Sequence, residues 1–321
     1  MTMSTDTERL DEANACHDDD PPRGAGLLRA INVAQLAPDR WPVYAFLLNH
    51  VLGEKGGHWD EALQRQRALL ALAQPAPALV LWRQAATAAR LADAQPAARK
   101  SDSTSAVAAE LAAAFAQASG ASLERSIELL QLNAVMYQVP GLASARVAAP
   151  VLAALAPFAW TVWQANGPLD ASVAACLNNI ASGILDRPVA DLQHADLRSA
   201  LAQAAELALR FWQRADTWVQ HERALYLCAM VSNALADHAE ARAYAQAALA
   251  LLDQHDIAHA EDVDRAFIEL ERWHACSRSG WPADAADART KADALAARFD
   301  DAGLTTWFEQ REKTLRALPL R

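Results

Sequence analysis

The sequence predicts an all-α fold of stacked antiparallel helical hairpins that wind into a right-handed α–α superhelix. Three observations carry that expectation. Glycine makes up only 11 of 321 residues, and Ala and Leu outnumber the β-branched residues, a balance that suits helices and not strands. Apolar positions recur three and four residues apart, cleanly at Ala285, Ala288, Ala292, Leu295 and Phe299, so each helix carries one buried stripe. Helix breakers such as Gly56, Gly57, Pro75, Pro77, Gly120, Pro140, Gly167, Pro188, Gly280 and Pro282 cut the chain at hairpin-length intervals. With 53% hydrophobic and 21% charged residues, the chain can bury a full core.

Residues 1–24 read as a disordered acidic tail. They carry Asp6, Glu8, Asp11, Glu12 and Asp18 to Asp20, show no periodic apolar positions and end in Pro21 and Pro22. No basic segment precedes an apolar one there, so the stretch does not read as a signal peptide. Residues 25–321 read as a single helical-repeat domain. Helices are expected near 26–36, 41–54, 59–74, 77–93, 104–118, 122–138 and 142–165, then near 170–185, 191–214, 217–236, 238–253, 261–279, 282–299 and 303–317. The polar stretch 95–105, with Pro96, Lys100 and several serines, reads as a loop or weak boundary. The longest uncharged run, 147–169, has the length of a membrane span. Pro150 and Pro157 interrupt it, Ala fills it in place of Leu, and Gln164, Asn166 and Gly167 close it, so a buried helix pair is the better reading. The Ala-rich part, 142–163, also offers a face for homo-oligomerisation.

Internal repetition supports the stack. Cys176, Cys228 and Cys276 each fall in the middle of the first helix of a hairpin, at intervals of 52 and 48 residues. The stretch 221–253 goes further and resembles a tetratricopeptide repeat: Leu225, the small Cys228 and Ala229, the turn Ala236-Asp237-His238, then Glu240-Ala241 and Ala248-Leu249 follow that family's order and spacing. Gly57-His58-Trp59-Asp60-Glu61-Ala62-Leu63 resembles the same turn into a second helix. The resemblance covers about a fifth of the chain, and Ser232 stands where the family carries a large aromatic. It implies a concave groove, lined by first helices, that accepts a peptide or helix from a partner.

Helical geometry nominates the side chains that would face such a groove. In the helix from Thr217, the buried stripe takes Leu225, Cys228, Ala229, Ser232 and Leu235, which leaves Arg223, Tyr226, Met230 and Asn233 on an adjacent face. Aligning the cysteines adds Asn178, His274 and Arg278, and aligning the turns adds Asn133. Asn can hydrogen-bond an extended backbone whatever its sequence, and Arg can take a carboxylate in a fork. Ten Trp, including Trp41, Trp59, Trp82, Trp160, Trp163, Trp212 and Trp307, read as wedges at hairpin junctions. Trp218 and Trp273 lie beside the expected groove.

A net charge of −10 argues against tracking a phosphate backbone, so no nucleic-acid partner is expected. Four cysteines with no CxxC spacing point to a reducing, cytoplasmic compartment. His255 and His259, followed by Glu261, Asp262 and Asp264, have a spacing a metal can use, but an interhelical loop leading into an acidic first turn is the better reading. His17 beside Asp18 to Asp20 makes a weaker set. With no phosphate loop, GxSxG elbow or HExxH, and with His274 and Cys276 on different helix faces, the expectation is no enzyme, no cofactor and no metal. The chain thus reads as a scaffold or adaptor for a basic or amphipathic protein or peptide. The rivals are a peptide-sensing regulator of a separate output protein and, more remotely, an enzyme built on helical hairpins.

Overall fold

In the computed structural model, the described residues are 5–72, 77–94, 102–159, 166–215, 217–256, 258 and 260–318. They form fifteen α-helices and no strand, and they fall into two compact units, Met1–Tyr137 and Gln138–Arg321. The division falls within the last turn of a helix, at residues 137 and 138. The loop or weak boundary of the single domain is expected near 95–105. Residues 95–101 lie outside the described ones.

The first unit opens with α1 (Asp6–Cys16) and α2 (Pro21–Ala30), followed by 3₁₀ turns at Val33–Gln35 and Pro38–Arg40. The expected tail is therefore a folded helix pair. Thr5 and Glu8 close a capping box at the start of α1, and Asp20 caps α2 by accepting from the Arg23 backbone N–H. Leu10 and Ala13 are fully buried with Leu28, Tyr44, Leu47, Leu48 and Val51. A stripe two residues long was masked by the surrounding acids, which pair outward: Asp6 with Arg9 (2.5 Å), Glu12 with Arg23 and Asp11 with Arg40.

Next come α3 (Trp41–Leu47) and, continuous with it, a π-helix over Leu48–Lys55. Its inner side is fastened at Asn49, which is fully buried: its Oδ1 accepts from Thr87 Oγ1 (2.6 Å) and Gln66 Nε2 (2.5 Å), and its Nδ2 donates to the Arg83 carbonyl (3.1 Å). Both ends of the Asn49 amide are thus bonded in the interior, which anchors this helix, while Gln66 Oε1 is left without a partner among the described residues. The unit is completed by α4 (Trp59–Leu72), α5 (Ala78–Ala94), α6 (Asp102–Ser119) and α7 (Leu123–Gln138).

The second unit holds α8 (Ser144–Leu155), α9 (Asp170–Leu185), α10 (Ala195–Arg214), α11 (Trp218–Ala234), α12 (His238–His255), α13 (Asp262–Arg278), α14 (Pro282–Ala296) and α15 (Ala302–Ala317). Helix α8 ends in a 3₁₀ turn, Ala156–Phe158, and Trp160 and Trp163 lie outside the described residues. Among the described residues no helix is long and apolar enough to cross a membrane. The hairpins α9/α10, α11/α12 and α13/α14 each pack internally and on the next, and α11 touches both α9 and α13, with α15 on α13. First helices thus stand beside first helices, as in a stack of hairpins. Fully buried Ala200, Ala204, Ala224, Ala229, Ala241, Ala245, Ala266, Ala275, Ala288 and Ala292 let the axes approach closely.

The turns set the repeat register. Ala236 has φ +62° and the Asp237 N–H reaches back to the Ser232 carbonyl (2.8 Å); Gly280 has φ +74° and the Trp281 N–H reaches the Cys276 carbonyl (3.0 Å). These are the same helix-ending motif, which places Cys276 opposite Ser232 and His274 opposite Met230. The cysteine alignment is therefore out by one helical turn.

Candidate functional site

The face of α11 expected to line a groove is instead a seam between helices. Asn233, 1% exposed, donates through Nδ2 to Glu271 Oε2 (2.8 Å) and to the Glu271 carbonyl (3.1 Å). Glu271 is fully buried on α13, and its Oε1 receives Arg311 Nε from α15 (2.6 Å). The Asn233 Oδ1 faces His238 Nδ1 on α12 (3.3 Å). An Asn meant for a visiting backbone is thus consumed inside the unit, with four helices joined through it.

His274 is buried 5.5 Å edge-on to His238, and desolvation, reinforced by the nearby Arg278, pushes its pKa down to about 3. It is a neutral interior ring. Arg278 donates to the Leu318 carbonyl (3.1 Å), so the end of α15 is held across the same face. Tyr226 packs with Phe267, Leu315 and Leu318, and burial drives its phenol far up. Arg223 grips the start of α13, with Nε 2.8 Å from Asp264 and Nη2 3.1 Å from Glu261. Tyr226, Asn233, His274 and Arg278 therefore lie in this seam, Met230 is half-buried on α11, Asn178 is half-buried on α9, and Asn133 is fully buried on α7 in the first unit. Helical periodicity separates a packed face from a solvated one. It does not separate an open groove from the seam that one first helix offers the next.

Three participants escaped the sequence reading. Glu271 and Arg311 stand in no motif or spacing that marks them in the sequence. Glu222 on α11 is fully buried, neither of its carboxylate oxygens has a hydrogen-bond partner among the described residues, and desolvation with the nearby Asp264 raises its pKa to about 8. It is a neutral acid at pH 7. Of the Trp residues, Trp218 stacks on His255 (5.4 Å), Arg242 lies 3.8 Å over the half-exposed Trp281, and Trp273 carries Arg316 at 5.0 Å. His259, the expected companion of His255, is outside the described residues.

Open concavities occur on the other side of the hairpins. A cleft of about 370 Å³ lies over α11 between α10 and α12, lined by Arg198, Glu206, Ser232, Asp237, Glu240 and Tyr244 among others. A second, about 450 Å³, lies over α13 between α12 and α14, lined by Asp253, Arg265, Glu269, Arg272, Lys291 and Leu295 among others. In the first cleft Arg198 donates to the Leu235 carbonyl (2.8 Å), and the lining sets three acids, Glu206, Asp237 and Glu240, against that one arginine. No protein-family model, curated protein or solved structure matches this chain. The all-helical stack of adjacent pairs is compatible with a helical repeat protein, and the tetratricopeptide likeness rests on the residues of 221–253 themselves.

Proposed function

We propose that the chain is a protein- or peptide-binding scaffold, a tetratricopeptide-like superhelix working in the cytoplasm, whose recognition surface is the row of clefts on the second-helix side of Gln138–Arg321. One observation carries this reading: a shallow cleft of similar size recurs over α11 and over α13, while the first-helix face is filled by α15 and Leu318. Repetition of a cleft along a stack suits an extended ligand better than a small molecule. The acids of the first cleft select a basic or amphipathic segment, and charge complementarity there governs association more than final affinity.

The test uses fluorescence anisotropy with labelled peptides of graded charge, on the intact chain and on a Glu206→Lys, Glu240→Lys variant with unchanged circular dichroism. Basic peptides bind the intact chain and lose at least tenfold in the variant. Equal binding by both, or no preference for basic over acidic peptides, overturns the reading.

A further inference from the structure

The turn between α1 and α2 brings a second set of side chains against the π-helix, in the first unit and apart from the clefts. His17 closes α1, Asp18 follows it, and His50 comes from the π-helix 32 residues on. His17 Nε2 lies 3.2 Å from Asp18 Oδ2, and His50 Nε2 lies 3.1 Å from Asp18 Oδ1, with the three donor atoms mutually within 4.8 Å.

The other nitrogen of each ring is already committed. His17 Nδ1 is 2.6 Å from the Asn14 carbonyl, and His50 Nδ1 is 2.6 Å from Glu54 Oε2. A carbonyl and a carboxylate only accept, so both Nδ1 atoms carry a hydrogen, and both Nε2 atoms face the Asp18 carboxylate. A cation is what holds these three groups together, either a proton on each Nε2 or one metal ion shared by all three. Nδ1–H donation to a backbone carbonyl or a carboxylate is also how metal-bound imidazoles are held in their working tautomer.

The rings are fixed in place. Phe46 stacks on His50 (5.5 Å, 9° between planes) and meets His17 edge-on at 6.2 Å, while the two imidazoles lie 5.3 Å apart. Asn49, next to His50, is the buried anchor of the π-helix, and such helices recur at functional sites. Lys55 Nζ holds Asp18 Oδ1 (3.2 Å) and leaves Oδ2 toward His17. The imidazoles are largely covered, whereas the Asp18 side chain is 61% exposed, so an ion reaches the site from solvent.

We propose that His17, Asp18 and His50 form a binding site for a divalent first-row metal ion of the zinc class. Two imidazole nitrogens with one carboxylate oxygen suit Zn²⁺ and its neighbours and are a poor match for Mg²⁺ or Ca²⁺, which take oxygen. Three protein ligands leave one position for water or a further ligand. Glu54 is a positioning residue that acts through His50. The ion ties the α1–α2 turn to the π-helix.

Calorimetric titration of the chelator-treated full chain with Zn²⁺ tests this. One ion binds per chain; His17→Ala and His50→Ala each weaken it by about 100-fold or more, Glu54→Ala by about 10- to 100-fold, and His255→Ala leaves it unchanged. Sub-stoichiometric binding, or His50→Ala binding as tightly as the parent chain, overturns the site. Should a histidine variant lose its helical circular dichroism, ¹⁵N-imidazole spectra of the parent chain decide instead. Zn²⁺ shifts Nε2 of His17 and His50 together; if it moves neither, and the contacts are imidazolium–carboxylate ion pairs alone, the proposal fails.

Discussion

Arg311 on α15 and Glu271 on α13 meet inside the second unit, Nε to Oε1 at 2.6 Å, and the other oxygen of the same carboxylate is taken by Asn233 on α11. One carboxylate therefore joins three consecutive first helices. Removing Arg311 leaves the Glu271 carboxylate buried and half-satisfied, which costs about 3–5 kcal/mol, whereas replacing both partners by apolar groups removes that penalty and leaves the smaller one, about 1–3 kcal/mol, of an Asn233 N–H without its carboxylate acceptor. Urea unfolding of Arg311→Met and of Glu271→Met, Arg311→Met checks this: a large loss in the single variant, partly recovered in the double. Two small and equal losses would show that α15 is held by its apolar contacts and not by the ion pair.

The turns Ala236 and Gly280 make a matched pair. Both carry a positive φ, +62° and +74°, and both end a first helix with the same backward hydrogen bond. An alanine there bears the steric penalty of the left-handed region, and glycine avoids it at some cost in chain entropy. Ala236→Gly stabilises by about 0.5–1 kcal/mol. Gly280→Ala destabilises by about 1 kcal/mol, and since a Cβ at Gly280 meets nothing within 4 Å, that loss is all backbone. Paired chemical denaturation curves give both signs.

The turns were the most legible part of the sequence, because glycine at 57, 120 and 280 announces a left-handed residue. Ala236 takes the same conformation without a glycine; its turn is legible from the tetratricopeptide likeness, but a register set on the cysteines instead slips by one helical turn. Helix α1 was hidden for a different reason: Leu10 and Ala13 are too short a stripe to outvote the acids around them. Asn233 and His274 both lie in a seam between packed helices, since only tertiary packing decides what covers a helix. The pairing of His17 and Asp18 with His50 depends on where a π-helix returns the chain, and no local spacing encodes that.

Glu222 gives the second unit a pH dependence with a definite sign. Its folded pKa, about 8, lies above the ordinary value of 4.5, so the folded state keeps a proton that the unfolded chain gives up. Stability from this group is then greatest at low pH and falls as pH rises from about 4.5 to 8. Glu222→Gln, which keeps the shape and cannot ionise, removes the decline, so its stability relative to the parent chain rises by on the order of a few kcal/mol between pH 5 and pH 8. Melting temperatures of both chains from pH 5 to 8 measure the difference. Parallel curves would mean that water or a counter-charge reaches the carboxylate.

Gly53 sets two ordinary effects against each other. In the middle of a helix, alanine in place of glycine usually gains about 0.5–1 kcal/mol. Here a Cβ would fall 2.5 Å from Cζ3 and 2.6 Å from Cε3 of Trp59, whose indole is pressed in turn on Tyr137 at 4.9 Å. The indole cannot retreat without disturbing Tyr137, so overpacking of about 1–3 kcal/mol outweighs the propensity gain. Gly53→Ala therefore destabilises the first unit and alters the near-ultraviolet circular dichroism of its tryptophans, and Trp59→Leu in the same chain relieves part of the loss. A gain in stability from Gly53→Ala alone would mean that Trp59 has room to move, and with it that the π-helix carrying His50 is less tightly held than Asn49 implies.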